Sequence, residues 1–267
     1  MLESTWDPGQ YARFGDERAR PFVDLMARVR ADDPAVVVDL GCGSGELTLT
    51  LADRWPRASV IGVDHSPQML TAAREVDALQ RVGWVEGDLT DWDPASLGAI
   101  PGVVVTNAAL QWVPGHLGLI DRVVGALAPG GWFAMQVPDN LDAPSHALMR
   151  QVAAGHPRAE ELVPAVTRLV VERPSTYLER LAGLGCDVDV WSTTYFHVLD
   201  PEGVLGDPVL EWVRGTGLRP VLAVLTDPQE LEEFLTPYRA LLHEAYPRGS
   251  AGVVLPFRRT FAVARKR

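Results

Sequence analysis

The chain has 267 residues, 47% hydrophobic and 22% charged, which is enough to bury the core of a large α/β domain and far too apolar for a disordered chain. Basic residues number 24 against 35 acidic ones, a net charge of −11, and this argues against a general nucleic-acid or anionic-membrane binder, since both recruit basic faces. No apolar run approaches the ~18 to 20 residues of a bilayer span, and residues 1–15 carry Glu3, Asp7 and Arg13 without an apolar stretch, so neither a membrane anchor nor a signal peptide is expected and the expected location is cytoplasmic.

Lys266 is the only lysine. Such an arginine excess fits a GC-rich genome, and it equally fits a use of the planar guanidinium fork to hold carboxylates; composition does not separate the two. Cys42 and Cys186 are too few and too far apart for a disulfide framework or a zinc site, and the six histidines show no metal-binding spacing. No metal is expected.

From residue 35 to about 137 short β-rich runs alternate with helical stretches. Strands are expected at Ala35–Leu40, Ser59–Asp64, Gly83–Glu86, Gly102–Asn107 and Trp132–Val137, each bounded by Gly, Pro or Asp. Helices are expected at Glu46–Trp55, with Leu47, Thr50, Leu51 and Arg54 on one face; at Pro67–Val76, capped by Ser66; and at His116–Leu127, closed by Pro129-Gly130-Gly131. Strands that are apolar throughout and separated by helices imply a parallel sheet covered on both faces.

Beyond Val137 the spacing predicts short helices over residues 140–173 punctuated by Pro144, Pro157 and Pro164, and a further helix over Ser175–Leu184. Cys186–Val198 alternates as a strand with two different faces, and Leu255–Ala264 reads as a last strand. Between them Leu231, Phe234, Leu235, Tyr238, Leu241, Leu242 and Ala245 trace one helix face. The expected architecture is a doubly wound, Rossmann-like α/β fold, with a mostly parallel seven-stranded sheet and helical cap inserts.

Asp39-Leu40-Gly41-Cys42-Gly43-Ser44-Gly45 takes the first strand into a glycine-rich turn and then a helix, at the strand edge where doubly wound sheets bind ligands. A dinucleotide fingerprint would want glycine at position 46 or 48, which are Glu46 and Thr48, and no Gly-Lys-Ser/Thr follows for a P-loop. Asp64 ends the second strand, where a carboxylate can accept ribose hydroxyls, and Asp88 follows the third. The fourth strand runs out through Asn107-Ala108-Ala109-Leu110-Gln111-Trp112.

With these motifs in order, the sequence resembles the class I S-adenosylmethionine-dependent methyltransferases. The resemblance implies S-adenosyl-L-methionine as cofactor, bound by Asp39, Gly41, Gly43, Gly45, Asp64, His65, Met69, Asp88, Leu89 and Asn107. Asp88 would meet the adenine amino group, and Asn107, Gln111 and Trp112 would position the reaction without a catalytic acid or base. It divides the chain into residues 1–30, a helical segment over the active site; 31–139, the cofactor-binding core; and 140–267, which completes the sheet and carries the cap around the acceptor.

The resemblance extends outside the core through Trp6-Asp7-Pro8-Gly9-Gln10-Tyr11, Arg20-Pro21, Glu211-Trp212, Gly215-Thr216-Gly217-Leu218-Arg219-Pro220 and Pro256-Phe257-Arg258-Arg259. These stretches look like those of carboxyl methyltransferases within the family, and imply methyl esterification of a small tricarboxylate such as trans-aconitate; another small acceptor remains the alternative. Tyr11, Arg18, Arg20, Tyr195, His197, Arg219, Tyr238 and Arg259 are the candidate acceptor-binding residues. On a strand Arg258 and Arg259 point to opposite faces, so at most one faces a pocket. No nucleic-acid, membrane or obligatory protein partner is expected.

Overall fold

The computed structural model describes residues 15–167 and 171–267. Helix α1 (Gly15–Met26) precedes strand β1 (Val36–Leu40), and the chain then alternates through α2 (Glu46–Arg54), β2 (Ser59–Asp64), α3 (Pro67–Val76), β3 (Val82–Glu86), β4 (Val103–Asn107), α4 (His116–Ala126) and β5 (Trp132–Pro138). Helices α5 (Pro144–Gly155), α6 (Ala159–Thr167) and α7 (Pro174–Gly183) lead to β6 (Cys186–Leu199). Helices α8 (Pro208–Arg214), α9 (Arg219–Val224) and α10 (Pro228–Ala245), a two-residue β7 (Arg248–Gly249) and β8 (Gly252–Lys266) complete the chain.

The sheet order is β3-β2-β1-β4-β5-β8-β6, with β7 lying antiparallel on β8. Strands β1 to β5 pair in parallel, Asp39 standing opposite Gly62 on one side and Val105 on the other. Every residue of β1 is buried, as a β-branched run covered by helices on both faces should be. Growth of the sheet reverses between β1 and β4, so the carboxyl ends of these two strands border the crevice where doubly wound sheets take ligands. Among the described residues no helix is long and apolar enough to cross a membrane.

Contacts divide the described chain into two compact units, one of residues 15–137, 171–192 and 260–267 and a smaller one of residues 138–167 and 193–259. In the larger, Val38, Leu40, Val104, Ile120 and Phe133 anchor the core between sheet and helices. Ser66 caps α3 by accepting from Met69 N–H at 3.3 Å, with Pro67 in the first turn, as sequence alone predicts. The smaller unit packs α5, α6, α8 and α10 around Leu162, Trp212, Phe234 and Leu242.

Four local expectations are corrected. The buried face of α2 is Thr48, Leu51 and Ala52, not the Leu47, Thr50 and Arg54 stripe, because Thr48 turns inward to meet Asp39. Pro164 lies inside α6 rather than at its boundary; the missing N–H forfeits one helical bond, while Leu162 and Val166 pin the helix to the core. Ala245, placed on the apolar face of α10, is exposed at its last residue. Strand β8 extends at both ends beyond Leu255–Ala264, and its second half is buried on both faces because it lies between β5 and β6.

Candidate functional site

The turn after β1 requires its glycines. Gly41, Gly43 and Gly45 have φ of +79°, +56° and +88°, a left-handed region that costs an L residue roughly 1 to 2 kcal/mol. A Cβ on Gly41 would run into Ala109 Cβ, so the turns after β1 and β4 touch at the switch point. One on Gly45 would stand 2.7 Å from the Trp84 ring and 2.8 Å from Ala73 Cβ. A Cβ on Gly43 would meet nothing within 4 Å, so at this point the backbone has room for a ligand at close approach. Gly41→Ala is therefore expected to lower the thermal midpoint, and Ala109→Gly in the same chain to recover part of the loss; an unchanged midpoint for Gly41→Ala would contradict the packing.

Three carboxylates stand at or just beyond the carboxyl ends of the first three strands. Asp64 Oδ2 accepts from Gly43 N–H and Oδ1 from Ser66 N–H, both at 2.9 Å, which ties the glycine turn to the start of α3. His65 is exposed, its Nδ1 3.5 Å from Asp64 Oδ1. Asp88 is exposed and accepts from Thr90 N–H at 2.8 Å; that bond holds its carboxyl below the ordinary carboxylate range. Met69 and Leu89 are buried, and the Leu89 side chain would stand 3.8 Å from a Cβ on Gly41.

Asp39 is buried, and Thr48 Oγ1 donates to its Oδ2 at 2.6 Å. Burial pushes this carboxyl from 3.8 up to about 7, against the Thr48 hydrogen bond and with help from the nearby Asp64 charge. The same burial, with Asp39 and Asp64 beside it, raises the Cys42 thiol, which is therefore no nucleophile at neutral pH. A carboxyl whose pKa is raised on folding binds its proton more tightly in the folded chain. Its contribution to stability is fully present below about pH 3.8 and is lost as pH rises through about 7. Asp39→Asn is expected to flatten the fall of the ligand-free thermal midpoint between about pH 5 and 8; an unchanged slope would contradict the assignment.

At the exit of β4, Ala108 takes φ +55°, a conformation held by Ala108 N–H donating to Gln136 O at 2.9 Å and by Gln111 Nε2 donating to Ala108 O at 2.6 Å. Strain of this kind collects at ligand sites. Asn107 Oδ1 and Gln111 Oε1 are buried and find no hydrogen-bond partner among the described residues, leaving two acceptors where a donor-bearing ligand group would be stabilised. Trp112 is half-buried beside them in sequence.

The smaller unit holds a basic and aromatic cluster. Alternation along β6 buries Tyr195 and His197 and exposes Phe196. His197 stacks on Trp212 of α8 at 4.8 Å between ring centroids and on Tyr195 at 6.2 Å, and Phe257 closes the group 6.0 Å from His197. The Arg259 guanidinium lies 4.7 Å over the Phe257 ring. Arg259 is only 4% exposed, whereas Arg258 points outward and pairs with Asp139 at 2.9 Å. Arg219 is half-buried at the start of α9.

Tyr238 departs from the expectation of an acceptor-binding residue. It is fully buried in the core of the smaller unit, and its hydroxyl donates to Ser145 O at 2.7 Å, so it is scaffold. Arg20 is exposed on α1. Tyr11 and the side chain of Arg18 lie outside the described residues.

Residues 37–131 match the methyltransferase domain family. Solved structures with the same architecture include the YcgJ protein from Bacillus subtilis, with a TM-score of 0.56 at 13% identity over 94% of this chain and 99% of that one. Coclaurine N-methyltransferase bound to N-methylheliamine and S-adenosylhomocysteine gives 0.55 at 14% identity, over 94% of this chain and 71% of that one. Likeness in sequence is much closer to the trans-aconitate 2-methyltransferase of Streptomyces avermitilis, 47% identical over 98% of this chain and 97% of that protein, and to that of Mycobacterium sp. strain KMS, 49% identical over 97% and 99%. The chain belongs to the trans-aconitate 2-methyltransferase family.

The methyl donor of this family member is S-adenosyl-L-methionine. The larger unit fits such a donor on its own geometry. It offers the open face of Gly43, carboxylates at the ends of β2 and β3, and two unsatisfied buried acceptors at the exit of β4. Four side chains support the candidate residues through contacts that the sequence did not specify. Thr48 holds Asp39, Trp84 fills the space left by Gly45 and Gly62, and Trp212 with Phe257 encloses His197 and Arg259. A Cβ on Gly62 would stand 2.6 Å from the Trp84 ring, and a glycine in mid-strand is the signal of such a close approach.

Proposed function

We propose that the protein transfers a methyl group from S-adenosylmethionine to a carboxylate of trans-aconitate, or of a close tricarboxylate, giving a monomethyl ester. The observation that carries this reading is identity of 47 to 49% to trans-aconitate 2-methyltransferases along nearly the whole chain, well beyond the methyltransferase domain at residues 37–131 and across the unit that bears the basic and aromatic cluster.

When bound, the donor supplies an electrophilic methyl group on a sulfonium. Asp64 would accept the ribose hydroxyls through lone pairs not used by Gly43 and Ser66, Asp88 would accept from the adenine amino group, and Asn107 Oδ1 with Gln111 Oε1 would receive donors at the methionine end. Gly41, Gly43 and Gly45 bring the backbone against the donor; Met69 and Leu89 shape its walls, and His65 covers the ribose edge. Arg259, Arg219 and His197 hold the acceptor's carboxylates, with Tyr195 as a neutral partner, and Trp112 guards the approach. Tyr11, Arg18 and Arg20 are retained as candidates from the N-terminal segment.

No residue needs to remove a proton. A carboxylic acid with a pKa near ~4 is ionised at neutral pH, so the chain's task is orientation, which can supply roughly 7 to 11 kcal/mol of a barrier. Arginine forks suit that task, because a bidentate grip fixes the plane of the carboxylate that it holds. The direct test is a comparison of kcat/KM for trans-aconitate, cis-aconitate, isocitrate and citrate with a simple phenol and amine. Trans-aconitate is expected to lead; a phenol or amine above every tricarboxylate would overturn the reading.

A further inference from the structure

The turn that carries Arg219 is seated on an imidazole. Thr216 N–H and Leu218 N–H both donate to Val213 O, at 3.0 and 2.9 Å, and Arg219 N–H donates to Thr216 O at 3.2 Å, which ties one side of the turn to the end of α8. On the other side stands His146 of α5. A Cβ on Gly217 would fall 2.8 Å from His146 Nε2 and 3.5 Å from both adjoining ring carbons, so the ring fills the space of the missing side chain. All these residues belong to the smaller unit.

His146 is itself fixed. Its Nδ1 lies 3.3 Å from Ser145 Oγ, Ser145 N–H donates to Tyr246 Oη at 3.0 Å, and Tyr238 Oη donates to Ser145 O at 2.7 Å. Two tyrosine hydroxyls thus clamp the backbone at the residue that orients the ring. Burial, and the charge of Arg150, push His146 down to about 4, so the ring is neutral at physiological pH and acts by shape. Trp212, one residue before Val213, stacks on His197, so the seat supports a helix that touches one of the proposed acceptor groups.

We infer that His146 is a positioning residue for the acceptor: held by Ser145, Tyr238 and Tyr246, its imidazole sets the Gly215–Arg219 turn and, through it, the Arg219 guanidinium. This rests on the reading in which Arg219 meets an acceptor carboxylate. A displacement of about 1 Å in a positioning group can cost on the order of a hundredfold in rate, so a ring-sized void beneath the turn should be visible in kinetics.

The test uses the full-length enzyme as wild type, His146→Ala, Gly217→Ala, the double variant and Arg219→Ala. Readouts are kcat/KM for trans-aconitate, the dissociation constant of S-adenosylhomocysteine and the thermal midpoint. His146→Ala and Gly217→Ala are each expected to lower kcat/KM about tenfold, with the dissociation constant within about twofold. The double variant, whose new methyl occupies the vacated ring space, is expected to recover to within about threefold of wild type. Multiplying losses in the double variant, or a fall in thermal midpoint with unchanged kcat/KM, would overturn the inference. Arg219→Ala separates the two levels. If it lowers kcat/KM while His146→Ala does not, only the positioning role fails; if Arg219→Ala leaves kcat/KM unchanged, the acceptor role of Arg219 fails and this inference with it.

Discussion

Arg259→Leu is expected to lower kcat/KM for trans-aconitate by about a hundredfold or more while leaving the dissociation constant of S-adenosylhomocysteine within about threefold. Arg259 is a nearly fully buried arginine held over the Phe257 ring and grouped in the smaller unit with His197. Losing one partner of a buried, hydrogen-bonded charge pair costs about 2 to 5 kcal/mol, so removing the cation that meets a substrate carboxylate should dominate the kinetics. Arg259→Lys refines the test. Lysine keeps the charge and loses the planar fork and its stacking on the ring, so it should recover only a small part of the loss. Equal losses in acceptor use and in S-adenosylhomocysteine affinity, measured by steady-state kinetics and calorimetry, would show that Arg259 supports the fold instead.

Asp64→Ala should give the opposite pattern. Its carboxylate bridges Gly43 N–H and Ser66 N–H at 2.9 Å each, and it would also accept from the ribose. Hydrogen bonds to a charged group contribute about 1.5 to 3 kcal/mol each, so S-adenosylhomocysteine affinity is expected to fall by about two orders of magnitude. Asp64→Asn, with a single amide oxygen, can keep at most one of the two bridges and should fall between. At saturating donor, the KM for trans-aconitate is expected to change little in either variant. Calorimetric affinity for S-adenosylhomocysteine equal to wild type would remove Asp64 from the ribose role.

The cofactor side of the fold is legible in the sequence because its signals are local. β-branched runs mark β1, β2 and β4, Ser66-Pro67 marks the start of α3, and three glycines within five residues mark the turn after β1. What the sequence conceals are contacts between different elements of the fold. Thr48 faces inward only because Asp39 waits across the turn, Trp84 matters through Gly45 and Gly62, and Tyr238 keeps the helical period of α10 while its hydroxyl is committed to Ser145. Alternation on β8 establishes that Arg258 and Arg259 face opposite ways, but only the packed structure shows which one is inside.

The arginine-rich composition divides in the same manner. Arg57 with Asp33, Arg158 with Glu161 and Arg180 with Asp121 form two-pronged pairs at the surface, and exposed pairs of this sort contribute little to stability. Arg259 is a different case, buried among aromatic rings. The fork serves ordinary surface carboxylates at many positions, and in the proposed function a buried one meets the acceptor.

Transfer of a methyl group to a carboxylate oxygen leaves an ester, and the product carries its chemical signature. Incubation with methyl-labelled S-adenosylmethionine and trans-aconitate, followed by mass spectrometry before and after mild alkaline hydrolysis, should show one labelled methyl group per tricarboxylate, released as methanol by base. Label absent from every tricarboxylate tested, or a labelled methyl group that survives hydrolysis, would contradict it.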